Sequence, residues 1–362
     1  MTPWPVSGAR SEGLRSLVQV FLRPDPSPAA FLDDAAVDLA LAESLGALLG
    51  ARVAEGRIAV RPDRRAALVA EYHRCRAANF ARGREVASLL EIVGDRAIPI
   101  VLLKGMALIQ STFGEGERSM GDVDVLVPAS RWAEICDKVI RAGWRAEDLP
   151  GRAYTVGHDY VRSFTTGRGA TIEIHRFVCE ESLFAFDYAG AEGIFARARR
   201  LPSGLSVPDD NDLFLTLAAH AAKHTFDLPL RSFLDGIFLL ERSQLRLGEA
   251  AARARSWRMA VAFRMWLSAL SWLAPDRIDE SIAVAGLGQC EPTWIGGVRA
   301  RVGSLLWSRT THVSPWQRFL RLAWLTDSPL EWARHVATRT GLRAIDLVDG
   351  ELRRRFSSGP GT

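Results

Sequence analysis

Arg118-Ser119-Met120-Gly121-Asp122-Val123-Asp124-Val125-Leu126-Val127 places two carboxylates two residues apart inside an apolar, β-branched run. Such a run reads as a buried strand. Side chains alternate between the faces of a strand, so Asp122 and Asp124 project together while Val123, Val125 and Val127 project the other way. Two adjacent carboxylates at the mouth of a core strand repel each other and resist burial unless a positive charge sits between them. A hard divalent cation with oxygen ligands is the simplest neutraliser. A capped turn ahead of a strand accounts for Asp122 but leaves Asp124 unexplained.

Working outward, residues 98–103 form a short β-rich run closed by Lys104-Gly105, and residues 106–112 suit a helix. A strand that ends on Lys-Gly at a helix N-terminus is a favourable anion site. Residues 113–117 are a Gly-rich turn. Ser130 is expected to N-cap a helix reaching Arg141, which Gly143 ends. A hairpin follows, with 158–165 and 170–178 joined through Thr166-Gly167-Arg168-Gly169. Within its second strand Ile172 and Ile174 face the core, so Glu173 and His175 share the opposite face. Glu173 is then the third carboxylate. Carboxylates on two neighbouring strands can hold two cations ~3.5–4 Å apart, the spacing used for in-line phosphoryl displacement.

The flanks read as helical. Residues 1–30 carry Pro3, Pro5, Pro24, Pro26 and Pro28 and form an irregular lead-in; 31–57 and 62–93 show helical spacing. After Pro208-Asp209-Asp210 the chain is helical again, over 212–225, 230–240 and further helices to about 347. Eight of the 11 Trp lie between Trp257 and Trp332, at spacings that indicate core filling. The expected organisation is an N-terminal helical region over 1–94, an α/β core over 95–205, a C-terminal helical domain over 206–350 and a disordered tail over 351–362.

A chain of 362 residues that is 48% hydrophobic can bury a substantial core and is not intrinsically disordered. No segment has the length of a membrane span, and no secretory signal stands at the N-terminus. Cys75, Cys136, Cys179 and Cys290 are far apart, which fits buried thiols in a reduced cytoplasm. Only three lysines, Lys104, Lys138 and Lys223, stand against 43 arginines, a bias that indicates a GC-rich bacterial genome. A net charge of +4 is too small to argue for nucleic acid, although residues 297–356 hold 11 Arg against 5 acidic residues. No P-loop and no dinucleotide fingerprint is present. His220 and His224 share a helix face, but lack an obvious third zinc ligand. Arg231 and Asp235 are spaced as a helix-surface ion pair.

Taken together, Leu102-Leu103-Lys104-Gly105, the Arg-x-x-x-Asp-x-Asp of Arg118 to Asp124 and the Glu-x-His of Glu173 and His175 resemble the bacterial uncharacterised nucleotidyltransferase family. That family belongs to the DNA polymerase β-like nucleotidyltransferase superfamily. The resemblance covers about residues 90–245, where His220, Lys223, His224, Arg231 and Asp235 match the helical segment after the catalytic sheet. It implies an α+β fold, with a polymerase β-like mixed sheet flanked by N-terminal helices and a C-terminal helical domain. It also implies a Mg²⁺-dependent enzyme, with a two-ion site and Mn²⁺ as the alternative metal. This enzyme would move an NMP from an NTP, ATP being the expected nucleotide, to a hydroxyl or phosphate, releasing pyrophosphate.

By the same resemblance Asp122, Asp124 and Glu173 are the metal carboxylates, and Glu173 is the candidate proton acceptor. Lys104, Gly105, Arg118 and Ser119 would hold the triphosphate; His175, His220, Lys223 and Arg231 would line the nucleotide or acceptor cleft. One departure stands out: the superfamily commonly has Gly-Ser after the first strand, and here Met106 follows Gly105. The expected acceptor is a small molecule or a peptide or protein, with nucleic acid disfavoured. Two rival readings remain: a non-catalytic nucleotide-binding or antitoxin-like regulatory module on the same fold, and a nucleic-acid-end modifying enzyme that uses the basic C-terminal helices.

Overall fold

The computed structural model describes residues 9–23, 29–147, 160–278 other than 182 and 192, 325–327, and 330–345 in part. Where an irregular lead-in is expected over residues 1–30, helix α1 (Ala9–Leu22) forms and turns Leu17, Val18, Phe21 and Leu22 inward. The stretch expected as one helix over 31–57 is divided. A short strand β1 (Ala30–Phe31) precedes α2 (Asp34–Ala42) and α3 (Gly46–Ala54), and β2 (Ile58–Ala59) pairs in parallel with β1. Asp33 caps α2 by accepting the Ala36 N–H at 2.8 Å. The break between the helices has a tertiary cause. Ser44 takes a left-handed φ of 62°, and the buried Glu43 carboxylate accepts the backbone N–H of Leu230, 187 residues away, at 2.7 Å.

Helix α4 (Pro62–Val93) matches the expected span, with Pro62 in its first turn and Gly94 at φ +72° closing it. It lies against α3 at backbone contact: a Cβ on Gly50 would sit 2.1 Å from the Leu68 carbonyl oxygen.

The chain then enters a seven-stranded mixed sheet. Strand β3 (Val101–Leu102) is shorter than the 98–103 run and leads directly into α5 (Lys104–Ser111). The following elements are β4 (Asp122–Leu126), α6 (Ala129–Arg141), β5 (Arg145–Ala146), β6 (Val161–Thr165) and β7 (Thr171–His175). After α7 (Ile194–Arg197), β8 (Arg199–Arg200) and β9 (Ser206–Val207) complete the sheet. Its order is β5-β6-β7-β4-β3-β9-β8, with β4 parallel to β7, β3 antiparallel to β4 and the β6–β7 hairpin antiparallel. Ser130 does not cap α6. The helix starts at Ala129 behind Pro128, with no side-chain cap, so Ser130 lies in the exposed first turn. Trp132, Ile135, Cys136 and Val139 of α6 cover one sheet face, and the Trp132 indole donates to the Ile174 carbonyl at 2.9 Å.

The C-terminal helices are α8 (Asp210–Lys223), α9 (Leu230–Arg242), α10 (Leu247–Ser256) and α11 (Ala260–Leu273). Asp209 caps α8 by accepting the Asp212 N–H at 2.7 Å. Trp257 and Trp266 are buried as core, and one continuous hydrophobic core extends from Leu17 to Leu325. Among the described residues no helix is long and apolar enough to cross a membrane. The expectations for the lead-in before residue 9, for most of the Arg- and Trp-rich stretch after 278, for Cys290 and for the tail lie outside the described residues.

Candidate active site

The alternation of β4 and β7 sets the site. Val123, Val125, Ile172 and Ile174 are fully buried on one face. On the other face the parallel register places Asp124 directly abreast of Glu173, Asp122 abreast of Thr171 and Leu126 abreast of His175. Asp124 is 4% exposed, whereas Asp122, at the strand's first residue, faces solvent. The two aspartates therefore share a face but not an environment.

Burial alone would push the Asp124 carboxyl up, but the Lys104 ammonium and the His175 imidazole outweigh it and hold the group well below the usual carboxylate range. Lys104 Nζ lies 2.5 Å and His175 Nε2 2.9 Å from the same oxygen, Asp124 Oδ1. Glu173 is lowered by its hydrogen bond from His175, at 3.3 Å, against the effect of burial; its second oxygen accepts from the Ser163 hydroxyl at 3.2 Å. Asp122 moves the opposite way, raised by burial and by repulsion from Asp124 and Glu173. Its carboxylate thus feels both neighbours and has no cation of its own in hydrogen-bond contact among the described residues. Lys104 stands at the first turn of α5 with φ +42°, a left-handed conformation unusual for a side-chain-bearing residue. Burial draws its ammonium pKa down, and Asp124 with Glu173 and Asp122 reverses this and raises it.

Behind this group the 115–121 segment is anchored by buried polar contacts. Asn79 of α4 donates to the Glu115 and Arg118 carbonyls at 2.6 and 2.8 Å. The Arg118 guanidinium forms two bonds to Asp235 of α9, at 2.9 and 2.7 Å. Arg231 reaches one turn back to the Ser119 carbonyl at 2.7 Å and its hydroxyl at 3.1 Å. Gly105 is required here, because a Cβ would meet Arg118 Nη1 at 2.3 Å and Met120 Sδ at 2.7 Å. These elements enclose a cavity of about 220 Å³ bounded by Lys104, Asp122 and Asp124 on the sheet side and His220, Arg231 and Trp266 on the helical side.

Of the residues singled out in the sequence, Lys104, Gly105, Arg118, Asp122, Asp124, His220 and Arg231 line this cavity. Glu173 and His175 adjoin it through Asp124. Two residues stand apart from the expected roles. Ser119 is occupied by Arg231 and does not line the cavity, and Lys223 turns its ammonium to the Tyr160 hydroxyl and ring. Asp235 pairs across the core with Arg118 rather than along its own helix with Arg231. Asn79, Tyr160 and Ser163 were not legible as participants. Each carries a common polar type that the motifs do not single out, and its contact to the site is set by the fold.

The donor set could hold a metal ion. Single ligand atoms of Asp124, Glu173 and His175 all lie within 4.8 Å of one another. Two carboxylates and one imidazole could together hold a divalent metal ion. His175 Nδ1 is buried without a hydrogen-bond partner among the described residues. Asp122 lies outside the tight trio, on the solvent side.

The model of a family described as uncharacterised nucleotidyltransferase matches residues 30–275. Among solved structures, the solution structure of the antibiotic-resistance factor ANT(2'')-Ia is 16% identical with a TM-score of 0.33, covering 51% of this chain and 92% of that one. JHP933 from Helicobacter pylori is 14% identical with a TM-score of 0.31, covering 62% of this chain and 91% of its own. Both likenesses are too distant to bear on individual residues. No curated protein sequence matches the chain.

Proposed function

Because the chain belongs to the uncharacterised nucleotidyltransferase family, we propose that it transfers an NMP from an NTP, with ATP as the expected nucleotide, to a hydroxyl or phosphate of an acceptor and releases pyrophosphate. The observation that carries this reading is the alignment of Asp124 with Glu173 on parallel strands, facing Lys104 at the start of α5. Asp122, Asp124 and Glu173, with His175 beside them, would hold Mg²⁺ or Mn²⁺. When bound, the metal would neutralise the phosphate oxygens and lower the pKa of the attacking hydroxyl.

The chain's own groups supply the rest. Lys104, now paired with Asp124, would offer its ammonium to a triphosphate oxygen. Gly105 of the first turn of α5 lines the same cavity, and an α-helix leaves the N–H groups of its first turn without intrahelical acceptors. Arg231 adds positive charge from the helical wall. Arg118 is committed to Asp235, and so positions Gly105 and the 118–121 segment instead of gripping phosphate through its fork. Glu173 would accept the proton of the attacking hydroxyl as the acceptor oxygen bonds to the α-phosphorus and the bond to the β-phosphate oxygen breaks. A small molecule or a peptide or protein is the expected acceptor, in a reduced cytoplasm consistent with the buried free thiols of Cys75, Cys136 and Cys179.

Thermal unfolding with each NTP, with and without Mg²⁺, on wild type and Asp124→Asn tests this. A nucleotide at ~100 times its dissociation constant stabilises by roughly 2.7 kcal/mol. The expected result is a Mg²⁺-dependent shift, absent in Asp124→Asn, accompanied by pyrophosphate release when acceptor is supplied. An equal shift in both proteins, or none with any NTP, overturns the assignment.

A further inference from the structure

Beside the carboxylates lies a second groove, of about 580 Å³, between the middle of α4 and the turn of the β6–β7 hairpin. Ala78, Ala81 and Ala170 supply small apolar surface to its lining. Phe80 forms a wall and is 64% exposed, unusual for an aromatic side chain of this size. Arg82, Arg84 and Arg168 rim it. Arg168 reaches across to buried Glu85 at 3.2 Å and so ties the hairpin to α4. Arg84 and Arg82 make no ion pair among the described residues, which leaves the rim with a net positive charge. The groove abuts the active site: Arg82 donates to the carbonyl of Gly121, the residue before Asp122, at 3.5 Å, and Thr171, one residue past Ala170, pairs with Asp122.

We propose that this groove docks the acceptor of the transfer reaction, and that the acceptor is a peptide segment with an apolar side chain flanked by carboxylates. The inference rests on the nucleotidyltransferase reading for its chemistry, and on the groove alone for the binding. The apolar lining accepts an apolar side chain against Phe80, and the two unpaired guanidiniums match carboxylates on either side of it. The shared edge at Gly121 delivers a neighbouring Ser, Thr or Tyr hydroxyl of the same segment to the face bearing Asp122. A nucleic acid would call for a denser array of cations along a backbone track, with exposed aromatics in series. Here one aromatic and an apolar lining favour the peptide.

The test is fluorescence anisotropy with a labelled Glu-Asp-Leu-Glu-Asp peptide, a Lys-Lys-Leu-Lys-Lys control and a single-stranded oligouridylate. Wild type, Phe80→Ala and Arg84→Glu are compared; both side chains are exposed, and neither belongs to the catalytic group. The acidic peptide is expected to bind wild type with an affinity that falls as salt rises. Each variant should weaken it by about tenfold or more, with the Mg²⁺–NTP thermal shift unchanged. No binding of the acidic peptide, equal binding by wild type and variants, or tighter binding of the oligouridylate at the same salt overturns the proposal. If the peptide binds as expected but no NTP shifts the unfolding of wild type, the groove stands and the nucleotidyltransferase reading falls.

Discussion

Arg118 and Asp235, 117 residues apart, form a two-bonded ion pair that is almost wholly buried between the seven-stranded sheet and α9. The pair closes the back of the cavity, and Gly105 exists in the form it does because the guanidinium passes where its Cβ would be. A buried pair of this kind adds little net stability over an apolar replacement, yet losing one partner strands a charge in the core. Asp235→Ala is therefore expected to cost about 3–5 kcal/mol in urea denaturation. Arg118→Met combined with Asp235→Leu should recover most of that loss while leaving nucleotide binding impaired. Equal destabilisation by the single and double variants would show that the pair's bonds are not what is being measured.

The carboxylates give a metal-specific prediction. Mg²⁺ or Mn²⁺ alone, without nucleotide, should raise the melting temperature of wild type and leave Asp124→Asn unchanged. Asp122→Asn should behave differently, because burial and repulsion from Asp124 and Glu173 raise the Asp122 carboxyl and outweigh the attraction of Lys104. Solvent exposure screens that repulsion, so the metal-free variant should be as stable as wild type or better by no more than about 0.5 kcal/mol. Its turnover is nonetheless expected to fall by roughly a hundredfold. Calorimetry with and without chelator reads the first effect, and pyrophosphate release the second.

Lys104 separates backbone from charge. Its φ of +42° costs a residue with a Cβ about 1 kcal/mol that glycine does not incur. Lys104→Gly and Lys104→Ala both remove the ammonium from Asp124, so both should lose NTP affinity. Of the two, Lys104→Gly should be the more stable by about 1 kcal/mol. If the alanine variant is the more stable, the left-handed backbone at this position is not retained in solution.

His220 makes stability depend on pH with a definite sign. Burial first, then Lys104, His224 and Lys223, hold its pKa well below 6.5. The unfolded chain takes up a proton as pH falls through about 6.5, and the folded chain does not until a lower pH. Stability from this group is thus full above the unfolded pKa and lost as pH falls below it, at up to about 1.4 kcal/mol per pH unit. Asp212, pushed up to about 6 by burial and Asp209 despite Arg197 and Arg253, titrates in the same window with the opposite sign. The readout is therefore the difference between wild type and His220→Gln, in which Asp212 cancels. Denaturation at pH 7 and pH 5 should show wild type losing more stability than the variant, and parallel curves would refute the account.

The strand alternation at Asp122 to Val127, the Glu173–His175 face, the Lys104-Gly105 helix start and the full length of α4 were legible from local pattern. Each depends on periods of 2 or 3.6 residues, or on a cap, that neighbouring residues alone impose. The split of 31–57 was not legible, because Glu43 leaves the helix to cap α9 from 187 residues away. Ser130 misled for a simpler reason: Pro128 already sets the backbone that starts α6.

What the sequence determined by itself is therefore the carboxylate face: which carboxylates share it, and which lysine begins the helix beside it. Only the tertiary structure decided what those charges meet. It paired Arg118 with Asp235 rather than with a ligand, turned Lys223 to Tyr160, placed His175 between Asp124 and Glu173, and set Phe80 and its arginines at the edge of the site. Local periodicity fixes the direction of a side chain, but its partner is fixed by which distant segments the core brings within a few ångströms. That choice is made by packing over the whole chain.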